Sequence, residues 1–264
     1  MSLCPECGTS NPEPARFCNN CAATLALFEG LPLASSEFPR PTQGASSRPL
    51  TLRASAPTRR RADVLFVLDC SGSMRSTLEG LGDMIPEFAQ ILSDRRWGLR
   101  VGLLEFRDGS PGEEHRVHSF GAQVFTIDVT AFRAEVSLLQ VDGGEDSAPR
   151  SSMDALLLAL RQPFTPNAGK AIILVTDAPP RVPGKEAQSV EQVVDAVRAA
   201  GLDQLYLVTH LMDAGSQLYL KLLDATRGMA FEIGTSNESA ERPTGWWLPP
   251  IAKSMVSFAG IRFR

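Results

Sequence analysis

The chain has 264 residues, 43% of them hydrophobic and 21% charged, with a formal net charge of −4. That is the composition of an ordinary globular protein, long enough for one medium domain with additions. No apolar stretch reaches the roughly 18 residues of a membrane span, and the start, MSLCPECG, has neither the basic region nor the apolar segment of a secretory signal. A cytosolic location is the expectation. Charge is uneven, at −1 over 1–28, +4 over 29–61 and −7 over 62–264. An acidic main segment argues against a nucleic-acid groove and for a cation site or basic partners.

Four of the five cysteines open the chain as Cys4-x2-Cys7 and Cys18-x2-Cys21. Each pair directs two thiolates at one ion, and two pairs complete a tetrahedral Cys4 zinc site. So short a segment has almost no core, and metal binding would supply most of its folding free energy. Two disulfides would be the competing reading, disfavoured in a reducing compartment. The segment CPECGTSNPEPARFCNNCAATL is similar to the short zinc ribbons at the N-termini of many bacterial proteins, departing from them at Ala22, where the second knuckle usually has Gly. Such ribbons bind proteins, bind nucleic acid or cap a terminus. With Arg16 as the one base beside Glu6 and Glu13, nucleic acid is the least favoured.

Residues 29–61 are rich in Pro, Ser, Ala and Arg without hydrophobic periodicity, and read as a linker of on the order of 30 Å. From 62 the pattern alternates strand and helix. Val64–Leu68 is an unbroken apolar run, the mark of a strand buried on both faces. Leu78, Leu81, Ile85, Phe88 and Leu92 recur at helical spacing, although Gly80, Gly82 and Pro86 weaken that helix or kink it. Arg100–Phe106 is a second buried strand, and His115–Phe120 and Gln123–Asp128 suit short edge elements. Thr130 is the expected N-cap of a helix over 131–140. Further elements are a helix over Ser151–Arg161, a strand over Lys170–Thr176, a helix on Val190–Val197, a strand over Gln204–Thr209, a helix over Leu218–Ala225, a strand over Met229–Ile233 and a helix through Ile251, Met255 and Phe258. This order implies an α/β fold, a mostly parallel sheet with helices on both faces, with ligands bound at the carboxyl ends of its strands.

After the first apolar run come Asp69, Ser71 and Ser73. One carboxylate and two hydroxyls on a turn suit a hard divalent cation such as Mg²⁺; the same residues also suit a helix N-cap with a serine-rich turn. DCSGS after FVL resembles the first motif of the von Willebrand factor A (vWA) family and its metal-ion-dependent adhesion site. Gly143-Gly144-Glu145-Asp146 resembles that family's second loop, in the subgroup with an acid where others use threonine, and Thr176-Asp177 its third. The resemblance covers about residues 62–260 and implies a vWA domain over 62–264, behind a ribbon over 1–28 and the linker.

It further implies that Ser71 and Ser73 coordinate Mg²⁺ (or Mn²⁺ or Ca²⁺) directly. Asp146 would add a direct or water-bridged oxygen, and Asp69 and Asp177 would hold coordinated waters. One position would remain for an Asp or Glu of a partner protein. The second loop departs from the family's Asp-x-Pro-Glu, running Asp146-Ser147-Ala148-Pro149-Arg150, so Glu145, Asp146 and Ser147 all stay open as its ligand. Arg150 would pair with the partner's carboxylate or with a neighbouring Asp. Cys70 alternates into the core. His115, His118 and His210 have no recognisable catalytic neighbours.

The expectation is a non-enzymatic protein-binding module. Family members of this kind in the bacterial cytosol often work beside AAA+ ATPases or kinase–phosphatase stress systems. A metal-dependent hydrolase using the same site is the alternative; neither nucleic acid nor membrane is an expected partner.

Overall fold

A computed structural model describes residues 2–3, 10–11, 61–95, 97–107, 115–141, 149–234 and 244–258. The chain divides into two compact units, 1–58 and 59–264. In the first, β1 (Ser2–Leu3) pairs antiparallel with β2 (Ser10–Asn11), Leu3 opposite Ser10. Cys4, Cys7, Cys18 and Cys21 lie outside the described residues, as do Gly143–Ser147 of the second loop.

The second unit is built on β3 (Arg61–Asp69). It runs parallel to β4 (Gly98–Phe106) on one side and to β7 (Gly169–Val175) on the other. Beyond β7 lie β8 (Gln204–Thr209) and β9 (Arg227–Glu232), both parallel. Two short strands, β5 (Arg116–Val117) and β6 (Phe125–Thr126), pair antiparallel with β4. The sheet is therefore mostly parallel with an antiparallel margin.

Period-2 alternation sorts β3 between two cores. Val64, Phe66 and Leu68 face α1 (Arg75–Asp94), α2 (Val129–Ser137) and α5 (Leu248–Phe258); Leu65 and Val67 face α3 (Ser152–Leu160) and α4 (Val190–Ala199). All five side chains are fully buried, each worth about 1.5–3 kcal/mol. That two-sided burial is why the strand reads as one continuous apolar run.

One local expectation is corrected and two are refined. The helix through Pro86 runs as a single element of 20 residues, because the buried stripe Leu78, Leu81, Ile85, Phe88 and Leu92 holds it to the sheet across the missing donor. The N-cap of α2 is Asp128, not Thr130: its Oδ1 accepts from the backbone N–H groups of Thr130 (2.9 Å) and Ala131 (3.0 Å). The helix expected over Leu218–Ala225 is a 3₁₀ helix over Ser216–Asp224. Its buried residues Ser216, Tyr219 and Leu222 are three apart, the spacing at which a three-residue turn aligns side chains on one face.

The chain goes from β3 to β4 on one side, then returns to lay β7 on the other. The strand order reverses between β3 and β7, and ligands bind at such a reversal beyond the carboxyl ends. Leu68 is registered with Val175 there, so the residues that follow each strand emerge side by side.

Candidate metal centre

β3 ends on Asp69, which is fully buried. Its Oδ1 accepts from the backbone N–H of Ser71 at 2.9 Å, closing a turn that leads through a 3₁₀ turn (Gly72–Met74) into α1. Neither that turn nor α1 has a side-chain cap, so the hydroxyls of Ser71 and Ser73 do not cap a helix. They lie 3.3 Å from one another, Ser71 4% exposed and Ser73 open to solvent.

The third loop enters from β7. Thr176 Oγ1 donates to Asp69 Oδ2 at 2.6 Å, joining the two strand ends through side chains. Asp177 follows at once, and its Oδ1 is buried without a hydrogen-bond partner among the described residues. Burial pushes the Asp69 carboxyl above its ordinary range; the hydrogen bonds from Thr176 and Ser71 oppose that shift and the nearby Asp177 adds to it.

The loop after Asp177 is pinned from below. Tyr219 Oη donates to the carbonyl of Ala178 (3.1 Å) and shares a 2.7 Å hydrogen bond with Ser152 Oγ. Asp154, on α3, accepts from the backbone N–H groups of Lys185, Glu186 and Ala187 at 2.8, 2.8 and 2.6 Å. Neither Tyr219 nor Asp154 stands out in the sequence, because each acts through a contact with distant backbone.

Arg150 was also open to two readings. Its side chain is 1% exposed and its Nε lies 3.9 Å from Asp69 Oδ2. It lies at the outer limit of ion-pair range of a neighbouring Asp, and its burial argues against its reaching a partner's carboxylate. Its backbone is tied to the third loop, N–H to the Pro179 carbonyl (2.8 Å) and carbonyl to the Arg181 N–H (2.7 Å).

The donor set is all oxygen. Six ligands at about 2.1 Å from Mg²⁺ sit about 3.0 Å apart along an octahedral edge, and about 3.4 Å apart around the larger Ca²⁺. The serine hydroxyls, 3.3 Å apart and within hydrogen-bond reach of each other, are close enough to share one ion. The orphaned Asp177 oxygen supplies the acceptor that metal-bound water requires. The chemistry of these residues fits a hard divalent cation, which Ser71 and Ser73 would hold with Asp69 and Asp177 behind them. Among the described residues no three His, Cys, Asp or Glu side chains gather where they could hold a metal ion, here or elsewhere, so this centre rests on two hydroxyls and two carboxylates.

Other reactive groups are engaged elsewhere. Cys70 is fully buried and burial pushes its thiol far up, so it is a core side chain rather than a thiolate. His115 Nε2 lies 2.8 Å from Ser151 Oγ, a pair the sequence did not disclose, but Ser151 is sealed from solvent. His118 stands between Glu105 and Glu135, and His210 against Glu232.

A family model described as the von Willebrand factor type A domain matches residues 63–237, and one described as a zinc-ribbon domain matches residues 3–25. Among solved structures, a von Willebrand factor type A protein from Catenulispora acidiphila superposes with a TM-score of 0.51 at 20% identity, over 75% of this chain and 42% of that one. The conserved hypothetical protein BatB from Bacteroides thetaiotaomicron gives 0.48 at 18% identity, over 76% of this chain and 100% of that one. At such identities the first likeness speaks for the fold alone. A search among curated proteins returned no match. The chain belongs to the von Willebrand factor type A domain family, with a zinc-ribbon domain ahead of that domain.

Proposed function

We propose that the chain is a non-catalytic binding module that captures an acidic residue of a partner protein at a divalent cation on the carboxyl edge of its sheet. The observation that carries this reading is the pair of serine hydroxyls, uncapped and 3.3 Å apart, beside a buried carboxylate oxygen with no partner among the described residues. Bound there, a hard cation supplies a strong, oriented electrostatic contact for a carboxylate. The chain's own residues do the rest: Asp69 orders the Ser71 turn, Thr176 joins it to the third loop, and Ser73 faces solvent where a partner approaches. Asp146, or Glu145 or Ser147 beside it, belongs to the same centre by its motif, and the ribbon cysteines to a structural Zn²⁺. A ribbon joined to this domain suits a multi-component cytosolic assembly, with an AAA+ ATPase or a kinase–phosphatase stress system as the kind of company expected.

The test is a pull-down comparing wild type with the Ser71→Ala/Ser73→Ala double variant in Mg²⁺ buffer, with the zinc content of both preparations matched. Loss of the wild-type partners from a folded double variant is the expected result; equal recovery overturns the reading. EDTA is unsuitable because it strips zinc as well. Steady phosphoester or peptide turnover abolished by Asp69→Ala would replace binding with hydrolysis.

A further inference from the structure

Arg150 carries an inference that deepens the metal-centre reading and rests on it. A guanidinium keeps its charge at any pH the fold survives, and burying one is costly unless an anion lies beside it. Here the side chain is 1% exposed and an anion within ion-pair range, among the described residues, is Asp69, the same carboxylate that would orient water on the cation. The main chain of Arg150 is clamped to Pro179 and Arg181, in the loop that carries Asp177. The positive charge is thus fixed beside Asp69, and its burial keeps it from swinging out to solvent.

We propose that Arg150 is a resident counter-ion that steadies the centre without its divalent cation and holds down the affinity for that cation. Asp69 and Asp177 lie at adjacent strand ends, and without a positive charge nearby they repel. Arg150 relieves that repulsion in the cation-free protein. Once a divalent ion enters, the fixed guanidinium opposes it across Asp69. Removing Arg150 should then weaken the cation-free fold while tightening cation binding. A residue that only positioned Asp69 would weaken both. A cation held loosely on its own is held better when a partner's carboxylate adds a negative charge, and by linkage the partner is held better when the cation is there.

The experiment uses the full-length, zinc-loaded protein with Mn²⁺ as the probe, since Mn²⁺ is visible by electron paramagnetic resonance and prefers oxygen to thiolate. Wild type, Arg150→Gln, Arg150→Lys and Ser71→Ala/Ser73→Ala are titrated, and Tm is recorded with and without Mn²⁺. Arg150→Gln should bind Mn²⁺ about tenfold more tightly, with a lower Tm in its absence and a larger rise on adding it. Arg150→Lys, which keeps the charge, should stay near wild type. A folded Arg150→Gln protein with equal or weaker affinity, while the double serine variant loses Mn²⁺, overturns the proposal and leaves the metal centre standing. Should Arg150→Gln be unfolded alone, saturating Mn²⁺ should restore it, and failure to do so overturns the proposal equally. If the double serine variant binds Mn²⁺ as wild type does, or if wild type and Arg150→Gln both bind none, the metal-centre reading itself is what fails.

Discussion

Thr176 Oγ1 donates a hydrogen bond of 2.6 Å to Oδ2 of Asp69, across 107 residues of sequence. It is the side-chain link between the first and third loops, at the point where the sheet reverses its strand order. Backbone pairing ends with Leu68 opposite Val175, one residue short of Asp69 and Thr176. This bond therefore continues the strand pairing into the site and aims one carboxylate before any cation arrives.

Thr176→Val tests that link. Valine matches threonine in shape but offers no donor, leaving a buried carboxylate oxygen without its closest neutral partner. The expected loss is about 1–3 kcal/mol, read as a lower urea midpoint with an unchanged slope. Mn²⁺ affinity should fall with it, and Thr176→Ser should restore both. A Thr176→Val protein with wild-type stability and affinity would mean the bond is incidental.

A second prediction concerns pH. Burial alone would raise Glu105, but His118 and Arg107 outweigh it and hold the carboxyl at about 2, below its ordinary 4.5. Burial alone would lower His118, but Glu105 and Glu135 outweigh it and hold the imidazole above its ordinary 6.5. The contribution of Glu105 is complete above 4.5 and disappears as pH falls toward about 2. That of His118 is complete below 6.5 and disappears as pH rises through its raised value. The cluster, with Arg107 and Arg116 around Glu105, is thus fully stabilising between 4.5 and 6.5. Subtracting the pH–stability curve of His118→Gln from that of wild type should show a benefit largest in that window and shrinking on the alkaline side. A difference that grows with alkaline pH would refute the assignment.

A third prediction lies at the far edge of the sheet. A Cβ placed on Gly228 would fall on the carbonyl oxygen of Leu205, its registered neighbour on β8. Gly228→Ala must therefore push β9 away, at a cost of about 1–3 kcal/mol. β9 also carries Glu232, which accepts from the Leu211 N–H at 2.8 Å and so holds the loop after β8. Hydrogen exchange should speed up in β9 and in 210–213 before the rest of the sheet. Uniform exchange across all strands would show that the contact is absorbed elsewhere.

What the sequence disclosed follows from where each signal resides. β3, β4, β7 and β8 are buried on both faces and leave continuous apolar runs, and Asp69 and Asp177 are legible because each follows such a run directly. Ser71 and Ser73 are legible as a motif, but that they do not cap the following helix required coordinates. The α2 cap was misplaced because Asp128 and Thr130, two residues apart, are both eligible. The helix over Leu218–Ala225 is legible but its 3₁₀ type is not, because leucines at 218, 220, 222 and 223 fit a period of 3.6 as readily as one of 3.0. Arg150, Asp154 and Tyr219 act through contacts remote in sequence, which no local pattern encodes; an arginine in a loop reads as exposed until the packing shows it buried.

The last prediction is about the support beneath the third loop. Burial alone would raise the Asp154 carboxyl, but the backbone N–H groups of Ala187, Glu186 and Lys185 outweigh it and hold the group below its ordinary value. Three charge-assisted bonds on one carboxylate fix the segment that leaves Asp177, and the fit is close. A Cβ on Gly184 would come 2.4 Å from Asp154 Oδ2. Asp154→Ala removes both acceptor oxygens, and with them all three bonds, and should cost about 3 kcal/mol. Asp154→Asn keeps one oxygen as an acceptor and should cost less. Neither side chain touches the serines, so any loss of Mn²⁺ affinity must come through displacement of the Asp177 loop. The expected order of affinity is wild type, then Asn, then Ala, parallel to stability in urea. If Asp154→Ala is destabilised yet binds Mn²⁺ as wild type does, Asp177 is held in place without this support.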